Sequence, residues 1–380
     1  MRHQQKSLMI MLILVMILIV FGATAKPYIP KNNQQIVASW DSDAADKTSN
    51  LSFTQRLSKV AWHIQQGQYA GQSNKHYGRA KALLLPIFTE QASTSLQQMP
   101  LRVQSQAWYL RARIVQYQHE FDLALHFLEN SIALDNNNSA AYLLKANVLL
   151  TQGKVVDSQQ SCHAMLGIAD LRLITACVLE VQANHGELLS SYTSLNSLLS
   201  HQGSQHHPQN EQDWLLQLVA DMALMLGKND EADRWLNQAL HANQSLAQKP
   251  LSFIVLWADV QLSLRREQGV LDELTAVVEQ AGFKDDALLT RLSLAEKSTP
   301  HRHWQRLLSE RIALRLARHD TFHSADLTRF FLDIAPDPER ALYWAKINWQ
   351  HAKLYDDKQL LDRAQIMQNT AQSKLPYDPS

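Results

Sequence analysis

The sequence predicts an all-α fold, a solenoid of stacked helical hairpins. From about Leu51 onward, apolar residues recur at spacings of three and four, and no window alternates with period two long enough for a sheet. Glycine and proline are scarce, 11 of each in 380 residues. That supplies too few tight turns for a β-sandwich, a propeller or a glycine-rich nucleotide-binding fold. Finally, the segment from Gln106 to Asn138 is echoed by the segment from Ala140 to Leu166. Trp108 falls over Tyr142, Ala112 over Ala146, His119-Glu120 over Gly153-Lys154 and Ala124 over Ser158.

Composition narrows the function classes. With 36 basic and 36 acidic side chains the formal net charge is zero, which gives no long-range field for nucleic acid or an anionic membrane. At 46% hydrophobic and 19% charged residues, the chain buries enough apolar surface to fold.

The elements follow in order. Residues 1–25 read as a signal peptide: Arg2, His3 and Lys6 precede an apolar run from Leu8 to Phe21, and Gly22-Ala23-Thr24-Ala25 offers a small-x-small cleavage site. The alternative is an uncleaved membrane anchor, for which the stretch is short. Either way the body is expected outside the cytoplasm, in the periplasm, and no cysteine follows that could be lipidated. Residues 26–50, with Pro27, Pro30 and no period, read as a flexible tether. Within 51–104, helices over 53–66 and 77–91 with a long intervening loop form a degenerate hairpin. Residues 105–282 hold the clear repeats: 105–166, then 172–199 turning at Gly186, then 213–240 with Ala220, Gly227, Ala232 and Ala239, then a unit opened by Ala258. Residues 283–372 read as divergent hairpins, in which Asp337-Pro338-Glu339 starts a helix with a capping carboxylate and a first-turn proline. Residues 373–380 are a tail.

These spacings resemble the tetratricopeptide repeat (TPR), a 34-residue helix–turn–helix with an aromatic early in helix A, small residues at the helix crossing and alanines in helix B. The resemblance implies a right-handed α-solenoid in a single elongated domain, each hairpin burying its apolar face on its neighbour. A narrower resemblance, carried by YGRAKALLLP, HEFDLAL, the paired cysteines and Ile347–Gln350, is to exported proteobacterial TPR proteins. That group offers no activity to carry over. This chain departs from it at Ser324-Ala325, where the group tends to have a charged Arg-Glu stretch.

Cys162 lies in helix B of the second clear repeat and Cys177 in helix A of the next, equidistant from the turn at Gly167–Leu171. Facing positions in an oxidising compartment suit a disulfide, with two buried thiols as the alternative.

The concave face of a TPR array is built from its A helices. The residues after the helix A small positions are Arg113, Asn147, Asp221 and Asp259, with Glu180 in the irregular third repeat and Tyr109, Gln116, Tyr117, Trp214 and Gln217 beside them. This set departs from the lysine- and asparagine-rich carboxylate clamp of peptide-binding TPRs. It reads as a groove for an extended segment, cationic side chains toward Asp221 and Asp259 and a carboxylate near Arg113. The bland reading is solvated helix faces, or side chains that pair with one another.

No GxGxxG, P-loop, GxSxG or HExxH motif occurs, so neither catalytic residues nor a cofactor are assigned. His201, His206 and His207 in one polar stretch, and His301 and His303 in another, read as loop histidines, not as a metal site. The expectation is a non-catalytic periplasmic scaffold for an envelope protein or peptide, touching membrane only through an uncleaved anchor. The alternatives are an accessory subunit for metal trafficking or for cell-wall or polysaccharide machinery, and an enzyme of unrecognised type. An enzyme would require a carboxylate with a perturbed pKa, enclosed in a cleft.

Overall fold

A computed structural model describes residues 51–89, 95–200, 209–240, 244–282 and 284–373. The expected signal peptide, the tether and the histidines at 201, 206 and 207 lie outside the described residues, as does the tail beyond Ser373. Among the described residues the fold is all-α. The chain divides by contact into two units. One comprises 42–312 and 321–380; of the other only Ala313–Asp320 is described.

The first hairpin pairs α1 (Phe53–Gln66) with α2 (Ser73–Leu84), which runs into a 3-10 turn at Leu85–Phe88. Helix α2 starts earlier than its sequence suggested, so the connecting loop is short. Gly67 explains the closeness of the two helices: a Cβ there would stand 2.7 Å from the Tyr77 ring. Then follow α3 (Leu101–Tyr117) with α4 (Phe121–Leu134), α5 (Ser139–Thr151) with α6 (Val155–His163), α7 (Leu171–Asn184) with α8 (Leu188–Ser200), α9 (Gln209–Met225) with α10 (Asn229–Ala239), and α11 (Leu251–Ser263) with α12 (Glu267–Ala281). The divergent part holds α13 (Asp286–Glu296), α14 (His303–Ala317), α15 (Ser324–Arg329) continued by a π turn at Phe330–Ile334, α16 (Pro338–His351) and α17 (Tyr355–Gln372). Asp337 caps α16, accepting from the Arg340 N–H, with Pro338 in the first turn.

One backbone device closes the hairpins from α3 onward. His119, Gly153, Gly186, Gly227 and Arg265 each hold φ between +59° and +100° just past an A helix. The following N–H then reaches back to the carbonyl five residues earlier, as in Glu120 to Val115, Lys154 to Leu149, Lys228 to Ala223 and Arg266 to Gln261. This is the left-handed helix stop, and it satisfies carbonyls that would otherwise be orphaned. The residue after each stop opens the next helix, which keeps the turns short.

The small residues sit where helices cross. Ala112, Ala124, Ala220, Ala232, Ala239 and Ala258 are fully buried, and Ser158 donates to the Ala146 carbonyl at 2.7 Å. Cys162 and Cys177 are bonded, with Cα atoms 5.7 Å apart, inside an apolar cluster that includes Ala146, Leu150, Met165 and Val181. Within the larger unit, the first hairpin is also clasped to distant chain. Tyr69 bridges Pro250, the Leu251 N–H donates to the Gln68 carbonyl at 2.8 Å, and the Gly71 N–H donates to Asp285 Oδ2 at 2.7 Å.

Candidate binding site at an interior group of carboxylates

The A-helix face does not stand open along its length. The segment after α16 returns to it: the Lys353 N–H donates to the Thr151 carbonyl at 2.8 Å, and the Tyr355 N–H donates to Asn184 Oδ1 at 3.0 Å. Leu354 packs against the apolar cluster around Ala146 and Val181. Burying that leucine while both flanking amides find acceptors accounts for the docking. The expected open concave groove is thus partly filled by the chain's own C-terminal segment.

What the segment brings is another carboxylate. Asp356, in the first turn of α17, joins Glu180 of α7, Asp221 of α9 and Asp259 of α11. Asp221 is raised to about 8, by burial first, then by Asp356, Glu180 and Asp259. Glu180 is raised to about 7 by burial. Asp356 is also raised, by burial first, with Arg329 opposing and Asp259 adding. Glu180 and Asp221 are half-buried, and Asp356 is exposed. Burial of these groups is therefore partial, and surrounding protein, not removal of all water, raises them.

Asp259 behaves differently. Arg291, buried at 3% exposure on α13, donates Nε and Nη2 to its two oxygens at 2.9 and 2.7 Å. A buried guanidinium needs a counter-ion, so Asp259 is committed within the fold and is not free for a partner's cation. For this residue the pairing alternative is what the structure shows. Glu180 and Asp221 form no salt bridge and accept no side-chain hydrogen bond among the described residues.

The residues assigned to the cationic end form a second group. The Arg113 guanidinium lies near the Tyr77 hydroxyl and opposes the rise of that phenol, with Tyr109 close by. Tyr77 and Tyr117 stack with ring centroids 3.8 Å apart, and the Tyr117 hydroxyl donates to Asn74 Oδ1 at 3.0 Å. Burial raises both phenols, and Asp285 adds to the rise at Tyr117. Arg113 is thus engaged with the first hairpin. Gln116, Trp214 and Gln217 are half-buried and Asn147 is exposed. Among the described residues no side-chain hydrogen bond joins these four to the carboxylates.

Sequence reasoning missed Tyr77, Arg291 and Asp356. Each lies outside the clear repeats, so repeat register gave no reason to aim it at the A-helix face. The acidic pair Asp356-Asp357 marked a helix start but not its destination. A further surface concavity of about 320 Å³, bordered by Thr54, Leu57, Ala61, Arg102 and Val103 of α1 and α3, was not foreseen either.

Among the described residues, no group of three or more His, Cys, Asp or Glu side chains could hold a metal, and no helix is long and apolar enough to cross a membrane. His301 and His303 are exposed.

No protein-family model matches the chain, and no curated protein matches it. Solved structures similar to it include a tetratricopeptide repeat protein from Parabacteroides merdae, at 13% identity and a TM-score of 0.41 over 69% of this chain and 98% of that one. The apo form of the quorum sensor NprR from B. thuringiensis matches at 12% identity and 0.49, over 85% and 90%. The APC/C hetero-tetramer Cut9-Hcn1 matches at 11% and 0.40, over 84% and 56%. At such identities the likeness is one of fold.

Proposed function

We propose that this chain is a non-catalytic interaction scaffold of the cell envelope, whose recess around Glu180 and Asp221 takes a basic segment of a protein partner. The observation that carries the reading is that Glu180 and Asp221, on neighbouring A helices, form no salt bridge among the described residues while burial raises both carboxyls. Like charges gathered in protein raise one another's pKa and disfavour the ionised state. A lysine or arginine from outside removes that penalty and gains a charge-assisted hydrogen bond. Repeat arrays suit such work, because their stacked helices present a long face on a rigid frame. The envelope location is supported by the N-terminal sequence alone.

The test uses lysine- and arginine-containing peptides, with acidic ones as controls, in calorimetric titration, alongside crosslinked co-purification from the envelope fraction. Asp221→Asn with Glu180→Gln is expected to weaken basic-peptide binding at least tenfold; unchanged affinity sinks the reading. Asp259 is a poor probe, since removing it orphans buried Arg291 at a cost of about 3–5 kcal/mol.

The same observation favours one other reading. A carboxyl that keeps its proton near pH 7 is suited to general-acid chemistry. Mass spectrometry separates the two: a segment recovered intact supports the scaffold, and turnover lost in Asp221→Asn supports an enzyme.

A further inference from the structure

His63 near the end of α1 and His76 in α2 face each other across the first hairpin, their Nδ1 atoms 3.0 Å apart. Both side chains are buried, at 5% and 6% exposure. Trp62 lies against both rings, with centroids 4.8 and 5.5 Å away, while half of its own surface faces solvent. Without another atom between them the two nitrogens share one proton: one ring donates from Nδ1 and the other accepts. A third party also fits the position. Two inward-facing imidazole nitrogens, screened by an indole but close to the surface, form a chelating pair.

We propose that His63 and His76 bind a single soft monovalent cation of the Cu(I) type between their Nδ1 atoms, with Trp62 as the cover. The donor count argues for this class. Zinc seeks four ligands, and no third His, Cys, Asp or Glu completes a set among the described residues. A d10 monocation is satisfied by two opposed nitrogen donors. Charge argues the same way: Lys59, Lys75 and Arg79 surround the pair, and their field repels a dication twice as strongly as a monocation. With metal–nitrogen bonds of about 2 Å, opposed ligands stand about 4 Å apart. To admit the ion the two rings therefore part by about 1 Å. The proton on the donating Nδ1 moves to Nε2 of the same ring through solvent, so neutral imidazoles take up the ion with no net proton release.

Ag(I) is the probe, because it needs no reductant that would attack the Cys162–Cys177 bond. Titration of the full chain is expected to show one tight equivalent, accompanied by quenching of indole fluorescence that Trp62→Phe removes. His63→Gln and His76→Gln are each expected to weaken that equivalent at least tenfold, with circular dichroism checking their folding. Nitrogen NMR of the unsubstituted protein provides a readout free of any folding defect: two imidazole Nδ1 resonances shift together on adding one equivalent. An unchanged isotherm in both variants, no paired Nδ1 shift, or preferential uptake of Zn(II) over Ag(I) overturns the proposal.

Discussion

Gly227 holds φ at +71° at the end of α9, and a Cβ built there meets nothing within 4 Å. Replacing it with alanine is expected to cost about 1 kcal/mol from backbone conformation alone. Gly67 has an ordinary φ of −67°, and its difficulty is space, because the Tyr77 ring occupies the position of a side chain. Gly67→Ala is expected to cost about 1–3 kcal/mol through overpacking. Arg265 is the reverse case, a side-chain-bearing residue at φ +59° in the same turn position that glycine fills elsewhere. Arg265→Gly is expected to stabilise the chain by about 1 kcal/mol, since it relieves left-handed strain. Urea unfolding of the three variants checks both signs. Neutral Gly67→Ala and Gly227→Ala variants would overturn the geometry of both turns.

Among the elements, the α6–α7 connection shows how far the sequence could be read. The positions of Cys162 and Cys177 on either side of a turn were enough to foresee their pairing. The loop they close is short, 15 residues apart in sequence, and a bond of that span contributes about 3 kcal/mol. Cys162→Ser with Cys177→Ser is therefore expected to lower the free energy of unfolding by about that amount in non-reducing buffer, and to match the unsubstituted protein once it is reduced. The helix stops were legible as well, because His119-Glu120 aligned over Gly153-Lys154 and the glycines kept their spacing. Repeat spacing encodes contacts between adjacent helices, and those came out well. The acidic A-helix residues Glu180, Asp221 and Asp259 were picked out by register and do converge. What spacing does not encode is contact between distant parts of the chain. Nothing near Arg291 or Asp356 announces that one neutralises Asp259 and the other adds to its neighbours. The docking of Leu354 depends on a cavity shape that exists only after the repeats have stacked.

For the molecule as a whole, the shifted groups oppose one another across the pH scale. Asp221 and Glu180, raised to about 8 and about 7, hold protons in the folded state that the unfolded chain has released. Their contribution is present below the unfolded carboxyl range, near pH 4, and is lost as pH rises through 7 to 8. His63 and His119 are both lowered to about 4, by burial first. Their contribution is present above about 6.5 and is lost as pH falls toward 4. Above pH 6.5 only the acids among these groups still act, so thermal stability is expected to fall between pH 6.5 and 8.5. Asp221→Asn with Glu180→Gln is expected to flatten that slope, and an unchanged slope would show that the carboxylates ionise freely.

The clasp between the first hairpin and the start of α11 and α13 bears on how the chain folds. A repeat array ordinarily behaves as a one-dimensional chain of neighbour couplings, able to fray or be shortened from either end. Here the amide of Gly71 depends on a carboxylate 214 residues away in sequence. Closing that contact raises contact order, which slows folding. It also ties the first hairpin and the units that begin at Leu251 and Asp285 into one cooperative transition, so a truncation at Leu246 should destabilise the first hairpin along with the repeats it removes.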